Sequence, residues 1–228
     1  MADAPAFRYA RYPAGGGDEW MLLHGHPDSV RVLMLAPILN ETNQTRALIV
    51  DIARRLAQAG IGSAIPDLPG TGESERSLAT VSWPDWRHAV GAAAETVFGA
   101  TGPPMVAALR GGALLDDACA AHASWRFAEA PGASLLRPLE RAQRLSDKLA
   151  AGNLQPNGPV PLAGFSLNDP FVDALRAAAP ATIARPLRTV AFEGTGVPLW
   201  RQAEPGTDPA LAQQLADDLA AWISSCGR

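Results

Sequence analysis

The stretch PMVAALRGGALL, residues 104–115, decides the predicted fold. Its first half is a short apolar run, typical of a parallel strand that is buried on both faces. Two glycines follow, and apolar residues then recur at a spacing that predicts a helix from Gly112 to Ala121. The sharp turn between strand and helix places one side chain, that of Arg110, at its tip. The turn therefore joins a strand to a helix, and the chain around it is expected to repeat that pattern.

Apolar runs of strand length alternate with helical patterns on both sides of this turn. Leu48, Ile52 and Leu56 lie four residues apart, as on one face of a helix. Ser82 followed by Pro84 is a typical helix start. The predicted elements include a leading hairpin over 7–23, strands at Val30–Leu35, Gly62–Pro66, Trp125–Ala130, Val160–Phe165 and Leu187–Phe192, a short helix capped by Ser166 or Asn168, and a closing helix from Asp208. This alternation predicts a mostly parallel sheet flanked by helices, with right-handed crossovers.

Residues 134–157 interrupt the alternation. This segment carries several leucines together with Arg137, Arg141 and Arg144. It predicts a small helical lid inserted above the carboxyl edge of the sheet. Alternatively, the arginines form no more than a solvated helix face.

Composition limits the possible partners. The 228 residues suit one α/β domain, residues 1–228, and the formal net charge of −4 gives no reason to expect nucleic acid or a membrane surface. No apolar run approaches the length of a membrane span, and no charged region followed by an apolar one opens the chain. We therefore expect a cytoplasmic protein.

Three short motifs suggest ligands but lack the residues that would complete a site. The Gly70-Thr71-Gly72 turn is half of a dinucleotide fingerprint, without the third glycine and the following helix. His24 and His26 share a face of an extended segment, and without a third ligand a polar face on an edge strand explains them better than a metal. Cys119 and Cys226 form no metal or redox spacing, and Cys119 fits an apolar helix pattern. We expect no metal and no cofactor.

The turn at Arg110 has the sequence environment of a nucleophile elbow. In α/β hydrolases, which this pattern resembles, a Gly-x-Ser-x-Gly turn raises the nucleophile above the sheet. Here Ala108–Gly112 reads Ala-Leu-Arg-Gly-Gly, and a guanidinium neither deprotonates near neutral pH nor acts as a nucleophile. No histidine follows His122, and Trp200 stands where the catalytic histidine is expected. Two of the three members of a catalytic triad are therefore missing.

Taken together, these landmarks resemble the second of the hydrolase families associated with the exosortase A system. Residues 36–46 correspond to its Pro-Pro-Phe-Ala-Glu-Glu-Met-Asn-Lys-Ser-Arg segment, and residues 67–74 match its Asp-Leu-x-Gly-x-Gly-x-Ser turn. Its paired tryptophans match Trp83 and Trp86, and its Gly-Leu-Arg-Leu-Gly elbow matches residues 108–112. Similar segments also occur at 163–165 and 200–204. The resemblance implies hydrolase ancestry and a genomic link to protein sorting and exopolysaccharide export, without fixing a reaction.

The remaining groups around the elbow suit negative charge. Arg110 stands beside helix N–H groups, and the loop at Ile38 and Leu39 supplies further donors. The predicted ligand-binding residues are Arg110, Gly111, Ile38, Leu39, Asn40, Glu41 and Trp200. They would hold an acidic small molecule, or the carboxylate of a partner protein from an envelope or export system, without transforming it. Alternatively, Glu41 pairs with Arg110 and leaves no vacancy for a ligand.

Two other functions stay open at this stage. One is an active hydrolase or acyl transferase acting on esters or thioesters through Ser166, Cys119 or Asp67. The other is a protein-interaction subunit whose contact surface is the predicted lid. Whether the chain is an enzyme is therefore undecided from the sequence alone.

Overall fold

A computed structural model describes residues 7–150 and 162–227 of the chain. These residues form a seven-stranded sheet in the order β1-β2-β4-β3-β5-β6-β7. Strand β2 is antiparallel to both of its neighbours, and all the other pairs are parallel. The strands are β1 (Phe7–Pro13), β2 (Asp18–His24), β3 (Val30–Leu35), β4 (Gly62–Pro66), β5 (Met105–Leu109), β6 (Ala123–Phe127) and β7 (Leu187–Val190). The predicted α/β architecture with a mostly parallel sheet is confirmed.

Helices cover both faces of the sheet. They are α1 (Asn40–Gln58), α2 (Trp83–Phe98), α3 (Gly132–Ala150), α4 (Asp169–Ala177) and α5 (Pro209–Ser225). Helices α1 and α5 pack over one face, and α2, α3 and α4 pack over the other. Because the sheet is covered on both faces, a central strand such as β5 is buried at every residue and is apolar throughout.

Side-chain caps fix the starts of three helices where the sequence predicts them. Ser82 and Asp85 form a reciprocal capping box at α2. Asn168, and not Ser166, accepts a hydrogen bond from the Phe171 N–H at α4. Asp208 accepts a hydrogen bond from the Leu211 N–H at α5. Each cap satisfies a backbone donor that the first helical turn leaves without a partner.

The helix predicted from Gly112 to Ala121 is wrong. The chain instead forms two 3-10 turns, Arg110–Leu114 and Asp116–Ala118. Gly112 lies so close to β3 that an added Cβ would be 2.4 Å from the Leu35 carbonyl oxygen. Asp116 is fully buried against Arg126 of β6. These tertiary contacts override the apolar periodicity of the segment.

Two predicted strands also need correction. The strand at Val160–Phe165 is absent over the described residues 162–165, because Ala163 and Gly164 have positive φ and form a tight turn between the bridged residues Leu162 and Phe165. Residues 160 and 161 lie outside the described residues. Strand β6 ends at Phe127 rather than Ala130, since Ala128 has a φ of 46°.

The predicted lid segment begins as helix α3, and residues 151–157 of that prediction lie outside the described residues. The first turns of α3 bury Leu135, Leu136 and Leu139. None of the helices within the described ranges is long and apolar enough to cross a membrane.

His24 does not lie on the edge strand. It belongs to β2, between β1 and β4, and its residue is only 2% exposed, whereas His26 is exposed in the loop that follows. Burial lowers the pKa of His24, and the charge of Arg54 adds to that shift. Over residues 7–150 and 162–227 no group of three potential metal ligands comes together.

Candidate functional site

Arg110 stands at the tip of a strained turn on the carboxyl edge of the sheet. It directly follows β5, and its φ of 53° is in the left-handed region that residues other than glycine rarely adopt. Strand pairing aligns the end of β5 with the ends of β3 and β6. The backbone thus bends sharply after β5, as it does in a nucleophile elbow, and the side chain at the tip of this bend is a cation.

The Arg110 guanidinium is held on three sides. Its Nε and Nη2 donate to the two carboxylate oxygens of Glu41, at 3.0 and 2.9 Å. Its Nη1 donates to the Ala128 carbonyl at 2.7 Å. Its central carbon lies 4.6 Å from the ring centroid of Trp200. We call Arg110, Glu41, Ala128 and Trp200 the elbow clasp. The pairing of Glu41 with Arg110, which the sequence left open, is therefore formed, and it occupies the donors that a bound carboxylate would use.

Three separate connections of the fold bring the clasp together. Glu41 lies in the first turn of α1, where the helix dipole favours a negative charge. Ala128 follows β6, and Trp200 lies in a 3-10 turn, Leu199–Arg201, between β7 and α5. Because the carboxyl ends of parallel strands meet at one edge, residues far apart in sequence become neighbours.

The clasp lies in a region of low solvent access. The Glu41 side chain is 8% exposed and that of Arg110 is 15% exposed. Burial raises the pKa of Glu41, and the hydrogen bonds and charge of Arg110, together with the charge of Arg201, oppose that shift. The two-pronged contact has the geometry of a strong guanidinium–carboxylate pair.

The loop predicted to supply oxyanion donors is packed onto the elbow. Ile38 and Leu39 are buried, and Asn40 is half-buried at the first residue of α1. A Cβ added to Gly111 would lie 2.6 Å from side-chain carbons of both Ile38 and Leu135. Apolar side chains therefore occupy the space beside Gly111, where a hydrolase substrate needs room.

The alternative nucleophiles lack an activating base. Ser166 is exposed, and Cys119 is buried so that the pKa of its thiol is raised to about 11. One carboxylate oxygen of Asp67 accepts a hydrogen bond from the Glu73 N–H at 3.1 Å. Among the described residues no serine or cysteine side chain is hydrogen-bonded to the imidazole ring of a histidine. The ring of His122 instead contacts the Cys226 carbonyl at 3.0 Å.

A buried ion pair that the sequence did not predict holds the segment that follows the elbow turn. Arg126 on β6 donates to both carboxylate oxygens of Asp116, at 2.7 and 2.9 Å, and to Glu129 at 3.0 Å. Arg126 is 3% exposed and Asp116 is fully buried. An arginine inside an apolar strand, preceded by an acidic residue in an apolar segment, was the available signal. No signal in the sequence pointed to Ala128, because Ala128 contributes to the clasp through its main-chain carbonyl.

Solved structures resemble this one over nearly its full length. A thermophilic esterase from Thermogutta terrifontis, in a malate-bound form, aligns with a TM-score of 0.61 at 13% identity, over 97% of this chain and 100% of that one. The thioesterase domain from the curacin biosynthetic pathway gives 0.54 at 15% identity, over 96% and 99%. A hypothetical protein from Pseudomonas aeruginosa gives 0.53 at 11% identity, over 97% and 95%.

No family model and no curated protein matches the sequence. At these identities the likeness to solved structures concerns the fold and not the activity. The strand order, the bend at Arg110 and these neighbours agree, and the chain has the α/β-hydrolase fold.

Proposed function

We propose that this is a non-catalytic protein of the α/β-hydrolase fold that holds an acidic group at the carboxyl edge of its sheet. The observation that carries the proposal is the elbow clasp. An arginine occupies the nucleophile position, and its donors already bind a carboxylate. A guanidinium offers neither a nucleophile nor a base, so the groups beside it cannot complete an acyl-transfer cycle.

Glu41 indicates the kind of ligand that the elbow accepts. It presents a carboxylate in a two-pronged geometry to a cation that also lies on the face of an indole ring. An acidic small molecule, or an acidic side chain of a partner protein, gains the same contacts by exchanging with Glu41. In this proposal Asn40 and Trp200 lie beside the exchanging group, and the buried residues Gly111, Ile38 and Leu39 support the loop and the elbow behind it.

We further propose that the protein acts in the cytoplasm, in an exosortase-linked export system. This part of the proposal depends on the resemblance of residues 36–46, 67–74 and 108–112 to the exosortase-associated family. The resemblance implies a link to protein sorting and exopolysaccharide export, for which a binding role suffices.

The absence of catalysis is tested on the purified full chain with fluorophosphonate labelling and with ester and thioester substrates. We expect no covalent label and hydrolysis no faster than with heat-denatured protein. A serine adduct, or turnover that is abolished in Ser166→Ala or Cys119→Ala, would establish the alternative, an active hydrolase.

Binding of acidic groups is tested by the thermal unfolding midpoint in increasing malonate or phosphate. We expect the midpoint of the wild-type protein to rise with ligand concentration. The rise should disappear in Arg110→Met and persist in Arg137→Met, which removes an exposed arginine from α3. Equal rises in both variants would show nonspecific stabilisation by salt and contradict the proposed site.

A further inference from the structure

A cavity outside the elbow clasp opens at the same edge of the sheet. It lies between the first turns of α1 and the segment that leaves β4, and its volume is about 60 Å³. The β3–α1 loop contributes Pro37 and Ile38 to its wall, but neither Arg110 nor Glu41 lines it. Its apolar lining includes Leu22, Leu35, Ile49, Val50, Ile65 and Leu68. This volume accommodates about two groups the size of a water molecule or a methylene.

Two groups of opposite charge line this cavity, Arg46 of α1 and Asp67 after β4. Within the described part of the chain, the exposed side chain of Arg46 forms no hydrogen bond and no ion pair. Asp67 uses only Oδ2, as the acceptor for the Glu73 N–H at 3.1 Å. Burial raises the pKa of Asp67, and the hydrogen bond from the Glu73 N–H and the charge of Arg46 oppose that shift. No hydrogen bond or ion pair joins the Arg46 and Asp67 side chains. Among the described residues, therefore, a cation without an ion-pair partner and a carboxylate with one oxygen that accepts no hydrogen bond both line the cavity.

Of the hydroxyl groups that line the cavity, those of the three threonines are already engaged. Thr42, Thr45 and Thr71 donate to backbone carbonyl oxygens at 2.7, 2.7 and 2.8 Å. Their hydrogen atoms are not available to a ligand, so Arg46 and Asp67 are left as the charged groups that orient one.

We propose that this cavity binds a free α-amino acid with a side chain of one or two carbons. The ligand's carboxylate pairs with Arg46, its ammonium group pairs with Asp67, and its side chain enters the apolar space. A simple carboxylate would leave Asp67 facing a like charge, and a simple amine would do the same at Arg46. A zwitterion offers an opposite charge to each of the two groups.

This inference rests on the proposed function only in assigning the protein a binding role. The cavity does not use the elbow arginine, so the two proposals are tested separately. Ester turnover or a fluorophosphonate adduct would overturn the non-catalytic role while leaving a measured amino-acid affinity intact.

Titration of the purified full chain with amino acids tests the proposal, with calorimetry and ligand-observed NMR to detect binding. Alanine and 2-aminobutyrate are expected to bind, whereas leucine and phenylalanine, which exceed the cavity, are expected to bind at least about tenfold more weakly. Propionate and propylamine each lack one charged group of the zwitterion. We expect each to lose about tenfold or more in affinity.

Variants locate the binding site. Arg46→Gln and Asp67→Asn should each weaken 2-aminobutyrate binding about tenfold or more, because each removes one charge and nearly preserves side-chain size. Arg54→Gln is the matched control, since Arg54 is an exposed arginine of the same helix that does not line the cavity. A far-ultraviolet spectrum and the unfolding midpoint verify that each variant is folded.

Three results would overturn the proposal. The first is no heat and no NMR signal change with either small amino acid at 10 mM, about the weakest range that such titrations reach. The second is an affinity that Arg46→Gln and Asp67→Asn leave unchanged in folded protein. The third is equal affinity for propionate and 2-aminobutyrate, which would show that Asp67 has no part in recognition.

Discussion

Removing the carboxylate of the elbow clasp is predicted to destabilise the fold. Glu41→Leu removes the acceptor of two charge-assisted hydrogen bonds. The Arg110 side chain, which is only 15% exposed, then lacks its negatively charged partner. Breaking a buried ion pair costs about 3–5 kcal/mol. Arg110 keeps its bond to the Ala128 carbonyl and its contact with Trp200. We therefore expect a loss of about 3 kcal/mol in the free energy of unfolding.

The double variant Glu41→Leu/Arg110→Met separates the pair from other effects. It replaces both charges with apolar side chains, a change that is often nearly neutral for buried pairs. If the single variants each cost about 3 kcal/mol and the double variant costs no more than one of them, the coupling energy is at least about 3 kcal/mol. Two residues that did not touch would give additive losses instead.

Urea unfolding of the four proteins measures this coupling energy. With a slope of about 3 kcal/mol/M, a loss of 3 kcal/mol lowers the midpoint by about 1 M. Equal slopes in all four proteins are the control, because they show that the unfolded states expose similar surface. A coupling energy below about 0.5 kcal/mol would refute the clasp as an energetic unit.

Three other predictions concern single groups. Burial raises the pKa of Cys119 to about 11, so its thiol should react with a disulfide reagent at pH 8 roughly a hundredfold more slowly in the folded protein than in urea. A backbone hydrogen bond at the start of α2 lowers the pKa of Asp85, so the ionised carboxylate stabilises the fold above the pKa that Asp85 has in the unfolded chain. The stability that Asp85→Asn removes should be constant above about pH 5 and shrink below about pH 4. Urea titrations at several pH values measure this change. An added Cβ at Gly112 would meet a main-chain oxygen of β3 at 2.4 Å, so Gly112→Ala should cost at least about 2 kcal/mol in urea unfolding. Gly196→Ala, with nothing within 4 Å, should cost little, and similar losses in both variants would contradict the packing argument.

Local patterns predicted most of the secondary structure because their causes are local. The apolar run at β5 indicated a buried strand, and Ser82 and Asp208 marked helix starts, since a cap depends on the next three residues. The helix predicted after Gly112 failed for the opposite reason. Its periodicity was helical, but Gly112 packs against β3 and Asp116 pairs with Arg126 of β6. Both of these partners come from other parts of the chain.

The sequence by itself determined that a cation, Arg110, stands at the turn after a buried strand and that the surrounding chain alternates strands with helices. Only the tertiary structure decided what that cation does. Glu41 and Arg110 are 69 residues apart, and Trp200 lies 90 positions beyond Arg110, so no local spacing links them. The carboxyl ends of parallel strands converge at one edge, and there burial leaves an arginine stable only beside a carboxylate, which Glu41 supplies.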